Sequence, residues 1–313
     1  MKVLLLVCLL GVVAAEERLL KYHELVGIPE AARIRRQESM RVVGSVGSYN
    51  GEHPFMAGLI ITLNSKATSV CGGSLLNHYR VLTSGRCMDD GYYQAERVLV
   101  VLGSTKLFSG GTRVYANTAY LHPNFNASTF TDDIAMLSVP YISYNRYISP
   151  ILLPYGISNT FQGYSSEIIG YGTTSDSASL NTGQSLRDTF VQVVSNSFCS
   201  QIYGSSITSD IMCTSGMNGK GACSGDYGGP LILRRYSGTG NQDLLVSSRV
   251  CFVLKSLQCA DFNSYQGHII EAFDINPKAL KTYRCDILYG RCRLSVRLPN
   301  RPHPSLFIHQ LDK

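Results

Sequence analysis

One short glycine-rich segment, residues 221–231, constrains the fold of this 313-residue chain more than any other. It reads Gly-Ala-Cys-Ser-Gly-Asp-Tyr-Gly-Gly-Pro-Leu, which is a Gly-Asp-x-Gly-Gly-Pro loop preceded by a cysteine. Because glycine has no Cβ, such a loop can turn tightly and approach other backbone closely. Elsewhere, short apolar runs such as 55–62, 97–102 and 231–234 alternate with Gly, Asn and Ser turns. Strand-sized runs at this spacing predict an all-β sandwich or barrel.

The N-terminus predicts export from the cell. A basic start precedes the apolar run 3–13, and Ala14, Ala15 and two glutamates follow it. The run is too short to span a bilayer, so the pattern indicates a secretory signal peptide over residues 1–15. No later segment reaches 18 apolar residues, so we expect no membrane association.

Composition narrows the possible partners and cofactors. The net charge of +6 comes without any block of five or more basic residues, which argues against nucleic acid. Nine of the ten cysteines follow the signal peptide, and an exported chain forms disulfides. Their odd number leaves at least one without an intramolecular partner. No CxxC or His/Cys spacing suits zinc, so we expect no metal and no other cofactor.

The chain changes character at both ends. Residues 16–41 are charged and poor in glycine, and five apolar side chains between positions 19 and 26 could line one face of a short helix: Leu19, Leu20, Tyr22, Leu25 and Val26. Residues 261–313 carry eight Lys and Arg against five Asp and Glu, whereas 42–260 carry thirteen against twelve. Much of the net positive charge therefore lies in this tail, where strand signals are weak.

Five motifs follow one another in a fixed order, at 41–45, 71–76, 81–87, 131–137 and 221–231. In these motifs and their order the chain resembles the chymotrypsin-like serine peptidases, family S1. The stretch preceding them resembles the propeptide of insect digestive chymotrypsin-like enzymes. The resemblance implies two antiparallel six-stranded β-barrels. We expect the second barrel to be incomplete at its C-terminal end, because the family pattern is not recognisable after Val246.

The resemblance also implies the domain limits. Residues 16–41 correspond to a propeptide and residues 42–260 to the two-barrel S1-like domain. Residues 261–313 form a divergent basic tail. Arg41 would be the cleavage site, and the amine of Val42 freed there would be buried against Asp226.

Two of the three catalytic positions that the resemblance marks hold unexpected residues. Asp133 matches the acid of the triad, whereas Arg86 stands in place of the general-base histidine and Tyr227 in place of the nucleophilic serine. Arginine does not give up its proton near neutral pH, and a tyrosine hydroxyl, with a pKa of about 10, is a poor nucleophile on a longer side chain. We therefore predict no meaningful peptidase turnover.

The replaced residues have two structural interpretations. Arg86 could form a salt bridge with Asp133 that holds the two lobes in place, or it could point to solvent. Three histidines lie in the same lobe and could be considered as replacement bases: His53, His78 and His122. We expect each of them to be a surface or structural residue.

The resemblance further assigns an oxyanion hole and a specificity pocket. The backbone N–H groups of Gly225 and Tyr227 match the oxyanion hole. Gly221 matches the base of the S1 pocket, where the absence of a carboxylate argues against binding of Arg or Lys. The inherited pocket would be apolar, and Tyr227 could plug it.

The resemblance also implies disulfides, and the sequence itself contains a motif for N-glycosylation. The implied pairs are Cys71–Cys87, Cys199–Cys213 and Cys223–Cys259, with Cys251 as the other candidate partner of Cys223. Cys285 and Cys292 could close a small loop and leave Cys251 free, although sequence alone does not fix connectivity. Asn126 begins an Asn-Ala-Ser motif for N-glycosylation.

Three functions are compatible with these residues. The first is a secreted, monomeric S1 homologue without catalytic activity, which binds a peptide or a protease-inhibitor protein in its former substrate cleft. It would serve as an inhibitor decoy or a non-catalytic cofactor, in the gut lumen if the digestive resemblance holds. The second is an active digestive chymotrypsin-like endopeptidase in which an unrecognised set of residues performs catalysis. The third is a decayed gene product, which a shifted reading frame near Val246 would explain.

Overall fold

The protein is described by a computed structural model over residues 21–39, 48–155, 160–172, 185–203, 207, 211–215, 221–222, 225–237, 240–247, 257–261, 283–286 and 291–294. The chain divides into two units, Met1–Gln266 and Gly267–Lys313. Most of the described structure belongs to the first unit, which contains two antiparallel sheets. The expectation of an all-β fold with two lobes is confirmed.

The first lobe is a seven-stranded antiparallel sheet in the order β5-β4-β1-β2-β3-β7-β6. The strands are β1 (Met56–Leu63), β2 (Thr68–Asn77), β3 (Arg80–Thr83), β4 (Ala95–Leu102), β5 (Thr112–Tyr115), β6 (Thr118–Leu121) and β7 (Ala135–Ser138).

The seven strands of this sheet are equivalent to the six expected, because β5 and β6 act as one bent strand. Only Ala116 and Asn117 separate them, yet β5 pairs with β4 at one edge and β6 with β7 at the other. The Ala116 N–H donates to Val98 O at 2.9 Å, and the Asn117 N–H donates to Ser138 O at 2.7 Å. The bend therefore joins the two edges and closes the sheet into a barrel.

Alternating apolar residues fill this barrel. On β1, Leu59, Ile61 and Leu63 are fully buried, which is the period of two expected for a strand with one face in a core. Leu75 of β2 and Leu137 of β7 complete the same cluster. Burial of each large aliphatic side chain stabilises the fold by about 2 kcal/mol.

The second lobe is a six-stranded sheet in the order β12-β11-β8-β9-β10-β13. Its strands are β8 (Ser165–Gly170), β9 (Arg187–Val194), β10 (Ile211–Ser215), β11 (Leu231–Ser237), β12 (Gly240–Ser247) and β13 (Leu257–Asp261). Strand β13 pairs with β10 along its whole length. The described strands of this lobe form a half-barrel.

Two glycine motifs meet where the lobes touch. A Cβ on Gly72 would lie 2.7 Å from Gly229 Cα, and the Gly72 N–H donates to Tyr227 O at 2.6 Å. Gly228 has a φ of 78°, and a Cβ there would lie 2.3 Å from Thr83 Oγ1. Any side chain would separate these backbones, so the Cys-Gly-Gly and Gly-Gly-Pro motifs fix the contact between the lobes.

The helices lie outside the sheets. A π-helical turn, His23–Gly27, leads into α1 (Ile28–Ser39), and α2 (Asn196–Tyr203) precedes β10. A helix was expected near residues 19–26, but the longer helix begins later and Leu25 is 47% exposed rather than on a buried face. No helix in the described ranges has the length and apolar character needed to cross a membrane.

The second unit contains a hairpin of β14 (Tyr283–Asp286) and β15 (Arg291–Leu294). Its register places Cys285 directly opposite Cys292. These eight residues form paired strands although the strand signals in this part of the sequence are weak.

Candidate functional site

Arg86 and Asp133 form a buried ion pair. The Arg86 Nε donates to Asp133 Oδ2 at 2.5 Å, and the Arg86 backbone N–H donates to Asp133 Oδ1 at 2.7 Å. Arg86 is 6% exposed and Asp133 1% exposed. The salt bridge predicted from the sequence is present, and the alternative with Arg86 in solvent is wrong.

The expectation that this pair ties the two lobes together is also wrong. Arg86 lies in the 3₁₀ turn Gly85–Cys87 directly after β3, and Asp133 lies just before β7. Strands β3 and β7 are neighbours in the first sheet, with Thr83 opposite Ala135. The pair therefore joins two adjacent strand ends within the first lobe.

Local geometry fixes the turn that carries Arg86. A Cβ on Gly85 would lie 2.8 Å from the Phe125 ring and 3.3 Å from Asp133 Oδ1, so a glycine lets the acid approach. A disulfide of Cys71 with Cys87 then ties the end of the turn to β2. These two restraints hold the Arg86 backbone N–H on the carboxylate.

Aromatic rings enclose the guanidinium of Arg86. Its central carbon lies 4.1 Å from the centre of the Phe130 ring and 5.3 Å from that of Tyr227. Such cation–π contacts stabilise a desolvated arginine by about 1–2 kcal/mol each. Tyr227 therefore packs into the core cluster of the first lobe, where it contacts Arg86 and Tyr22.

The loop that carries Tyr227 is held by its acidic neighbour. Asp226 is 7% exposed, and its Oδ1 accepts the N–H of Gly172 at 2.7 Å. A Cβ on Gly170 would lie 1.9 Å from the same oxygen, so only glycine permits this contact. The predicted partners of activation, Arg41 and Val42, lie outside the described residues.

Gly225 was predicted to contribute to the oxyanion hole, and Gly221 was predicted to lie at the base of the S1 pocket. Gly225 has a φ of 98°, a conformation that glycine adopts without strain, and it lies beside Gly172 and the side chain of Glu30. Gly221 is half-buried next to the buried Ala222. Residues 216–220 and 248–250 lie outside the described part of the chain, so the S1 pocket stays a prediction.

Two of the predicted disulfides are present. Cys71–Cys87 and Cys199–Cys213 have Cα–Cα distances of 6.3 and 6.4 Å. Cys223 lies outside the described residues, as does Cys251, so the assignment of Cys223 to Cys259 stays a prediction. Asn126 is exposed in a turn where its Oδ1 accepts the N–H of Ser128 at 2.8 Å, and its glycosylation is likewise untested.

The three histidines have structural contacts. His53 is 5% exposed and its Nε2 lies 3.4 Å from Asp188 Oδ1. His122 is 4% exposed and its Nδ1 accepts the Asn124 N–H at 3.2 Å. The ring of His78 stacks on Tyr144 with centres 3.8 Å apart.

One group of described residues has the composition of a metal site. Glu52, His53 and Asp188 bring three potential ligand atoms within 4.8 Å of one another. Asp188 Oδ1 already accepts the Ser48 hydroxyl at 2.9 Å in addition to facing His53. We interpret the group as a polar link between the loop at 48–53 and β9.

Sequence reasoning missed the part that the N-terminal segment plays at the site. The Tyr22 ring lies 4.8 Å from the Tyr227 ring, and Glu30 lies beside Gly225. Burial raises the pKa of Tyr22 well above its ordinary value, and Tyr227 acts in the same direction. The one available signal was the placement of Tyr22 among the apolar residues of the predicted helix.

Comparison with known proteins decides the family. The Trypsin family model matches residues 42–240, which is more than half of the chain. The chain belongs to the trypsin family. It is 32% identical to a collagenase of Hypoderma lineatum, over 62% of this chain and 72% of the relative. It is also 28% identical to phenoloxidase-activating factor 3 of Holotrichia diomphalia, over 72% and 68%.

A solved structure supports the same fold. The structure of HL collagenase aligns with a TM-score of 0.64 and 30% identity, covering 75% of this chain and 99% of that one. The trypsin-like double β-barrel is thus established for this member of the trypsin family. The chemistry of the site depends on the residues that occupy it.

Proposed function

We propose that this trypsin family member is secreted, does not cleave peptides and acts by binding a protein or peptide at its former substrate cleft. One observation carries the proposal: the position of the general base holds an arginine that is ion-paired with Asp133 at 2.5 Å. Serine peptidase chemistry needs a group that takes a proton from the nucleophile and later returns it. A guanidinium has no free lone pair for that proton near neutral pH.

The nucleophile position supports the same conclusion. Tyr227 is 8% exposed, and its ring is held between Arg86 and Tyr22. A phenol needs a base to become nucleophilic, and the neighbouring side chain is a cation that cannot accept its proton. The two replacements therefore remove both proton-transfer partners together.

The surrounding architecture favours binding over loss of function. Two described disulfides, the closed first barrel and the glycine contact between the lobes are retained. A fold without such restraints is expected when a gene has decayed. One relative is named phenoloxidase-activating factor 3, and the cofactor role that we propose places this chain in an activation process rather than in digestion.

The test measures activity and site labelling on the purified full chain, before and after cleavage at Arg41. A Phe- or Tyr-directed fluorogenic peptide reports turnover, and an organophosphonate reports a reactive serine. We expect neither signal, with a circular dichroism spectrum of a folded β protein. Turnover above a mock-purified preparation would establish the active endopeptidase instead.

The double variant Arg86→His/Tyr227→Ser is the matched control. It restores the base and the nucleophile on the same backbone, whereas each single variant restores only one. Once the N-terminal segment that packs on position 227 has been displaced, we expect labelling in the double variant alone, because serine and histidine act as a unit. Equal labelling of either single variant would show that Arg86 and Tyr227 are not the cause of inactivity.

A further inference from the structure

The N-terminal segment 21–39 lies on the residues that match the former catalytic centre. Tyr22 packs against Tyr227, and Glu30 packs against Gly225, the two residues whose backbone N–H groups match the oxyanion hole. Helix α1 packs along β2. The segment thus covers the place where a bound peptide would have to lie.

Tyr22 anchors one end of this segment. It is 3% exposed, its hydroxyl donates to Val70 O at 2.6 Å, and the same oxygen lies 3.3 Å from Cys71 Sγ. The ring is therefore enclosed by β2, the Cys71–Cys87 disulfide and Tyr227. The Tyr22 hydroxyl supplies the hydrogen bond that the buried carbonyl oxygen of Val70 accepts.

His23 and Gly27 continue the contact along β2. The His23 backbone N–H donates to Asp90 Oδ2 at 2.7 Å, and His23 Nδ1 lies 2.8 Å from Ser69 Oγ. A Cβ on Gly27 would lie 1.9 Å from Ser69 Oγ, so this glycine allows the helical turn to lie directly on the strand.

Helix α1 fixes the other end. Ile34 is fully buried and Ala31 is 3% exposed. Beyond them, the Glu38 carboxylate accepts the N–H groups of Leu107 and Phe108 at 2.5 and 2.9 Å. The segment is therefore held at both ends, and both anchoring residues, Tyr22 and Glu38, precede Arg41.

We propose that residues 21–39 are an intramolecular ligand of the degenerate cleft, anchored by Tyr22, and that they remain bound after cleavage at Arg41. Cutting the chain after Met40 breaks none of the described contacts, because each of them is made by a residue between 21 and 39. Cleavage only loses the high effective concentration of a tethered ligand. The inference rests on the proposed binding function, because it states what occupies the cleft and what a partner must displace.

The experiment separates the segment from the rest of the protein without trypsin, which could also cut at Arg33, Arg35 or Arg36. A recognition sequence for a site-specific protease is inserted between Met40 and Arg41 of the full chain. After complete cleavage, size-exclusion chromatography at about 1 μM shows whether the segment elutes with the body. We expect the two to elute together.

Variants of the segment test the anchor. In Tyr22→Ala we expect release at least about tenfold faster, because the ring contact and the hydrogen bond are both lost. Tyr22→Phe removes only the hydroxyl and should release the segment a few-fold faster. Leu25→Ala, on the same segment but 47% exposed, is the matched control and should behave as the parent chain.

The outcomes are distinguishable from those of the activity test. Immediate separation of the parent segment overturns the inference, even if the protein shows no turnover. Retention that is equal in the parent chain and Tyr22→Ala overturns the anchoring role of Tyr22. Turnover with a retained segment would instead overturn the proposed function. A near-ultraviolet circular dichroism spectrum establishes that each variant body is folded.

Discussion

Arg86 and Asp133 form a buried ion pair at two positions that match catalytic residues of family S1. A carboxylate that is 1% exposed needs a charged or hydrogen-bonding partner, because burying it alone is costly. Arg86 supplies two donors, its Nε and its backbone N–H, and its guanidinium also faces two aromatic rings. The guanidinium of Arg86 therefore occupies the place where the family has a histidine hydrogen-bonded to the acid.

The variant Asp133→Asn tests this arrangement at the residue scale. The amide keeps an acceptor for the Arg86 N–H but leaves the guanidinium buried without a counter-charge. We expect a loss of about 3 kcal/mol in the free energy of unfolding, measured in urea. Asp132→Asn is the control, because its φ of 51° suits asparagine and its side chain is 23% exposed. A loss below about 0.5 kcal/mol in Asp133→Asn would contradict the role of the pair.

At the scale of elements, the second sheet depends on a charge pair between strands β8 and β11. Glu167 is 1% exposed, and Arg234 donates to it through Nε at 2.6 Å and Nη2 at 3.0 Å. Burial raises the pKa of Glu167 to about 7, while Arg234 lowers it and Asp188 raises it. The ion pair between the two strands therefore depends on a carboxylate whose protonation changes near pH 7.

Arg234→Met tests this pair. Glu167 has a folded-state pKa above its unfolded value of 4.5, so its carboxylate reduces stability as pH rises from 4.5 to about 7. Removing Arg234 raises that pKa further. We expect a loss of about 2 kcal/mol near pH 8, discounted because Arg234 is partly exposed, and a smaller loss at about pH 5.

The control for this prediction is Arg97→Met, which changes an exposed arginine on β4. It should alter the free energy of unfolding by less than about 0.5 kcal/mol at either pH. If Arg234→Met were equally destabilising at both pH values, packing of the side chain rather than charge would explain its contribution.

At the scale of the whole molecule, the N-terminal segment and the first barrel share one core. Tyr22 belongs to the same buried cluster as Leu59 and Leu137. His23 lies fully buried beside it, and its Nε2 has no hydrogen-bond partner within the described ranges. The histidine therefore has to be neutral for the segment to pack well.

His23 gives this packing a pH dependence. Burial lowers its pKa from 6.5 to about 4, while Asp90 and Asp89 act in the opposite direction. The folded-state pKa lies below the unfolded value, so the contribution is complete above pH 6.5 and decreases as pH falls toward 4. We expect this decrease to reach about 3 kcal/mol at the acidic limit.

The measurement compares the unfolding free energy of the parent chain with that of His23→Gln from about pH 7.5 to about pH 4. Other groups titrate in both proteins, so the difference between the two curves isolates His23. We expect that difference to change in favour of His23→Gln as the pH falls. Curves that stay parallel would show that His23 is not held neutral in the folded protein.

The sequence predicted the family-level features well. Strand-sized apolar runs and turn residues predicted the all-β fold, and the order of the motifs supported a resemblance to family S1 that implied the two lobes and the two disulfides found in the described residues. The presence of arginine at 86 and tyrosine at 227 is read directly from the sequence and needs no tertiary information.

Tertiary structure alone decided what these side chains contact. The sequence left Arg86 equally able to face solvent or Asp133, and it assigned the pair to the contact between lobes. The structure places both residues on neighbouring strand ends of one sheet, because β7 adds to β3 after a long excursion of the chain. The role of Tyr22 depends on a contact 205 residues away, with Tyr227. Local patterns carry no information about such contacts, because they arise from packing between distant parts of the chain.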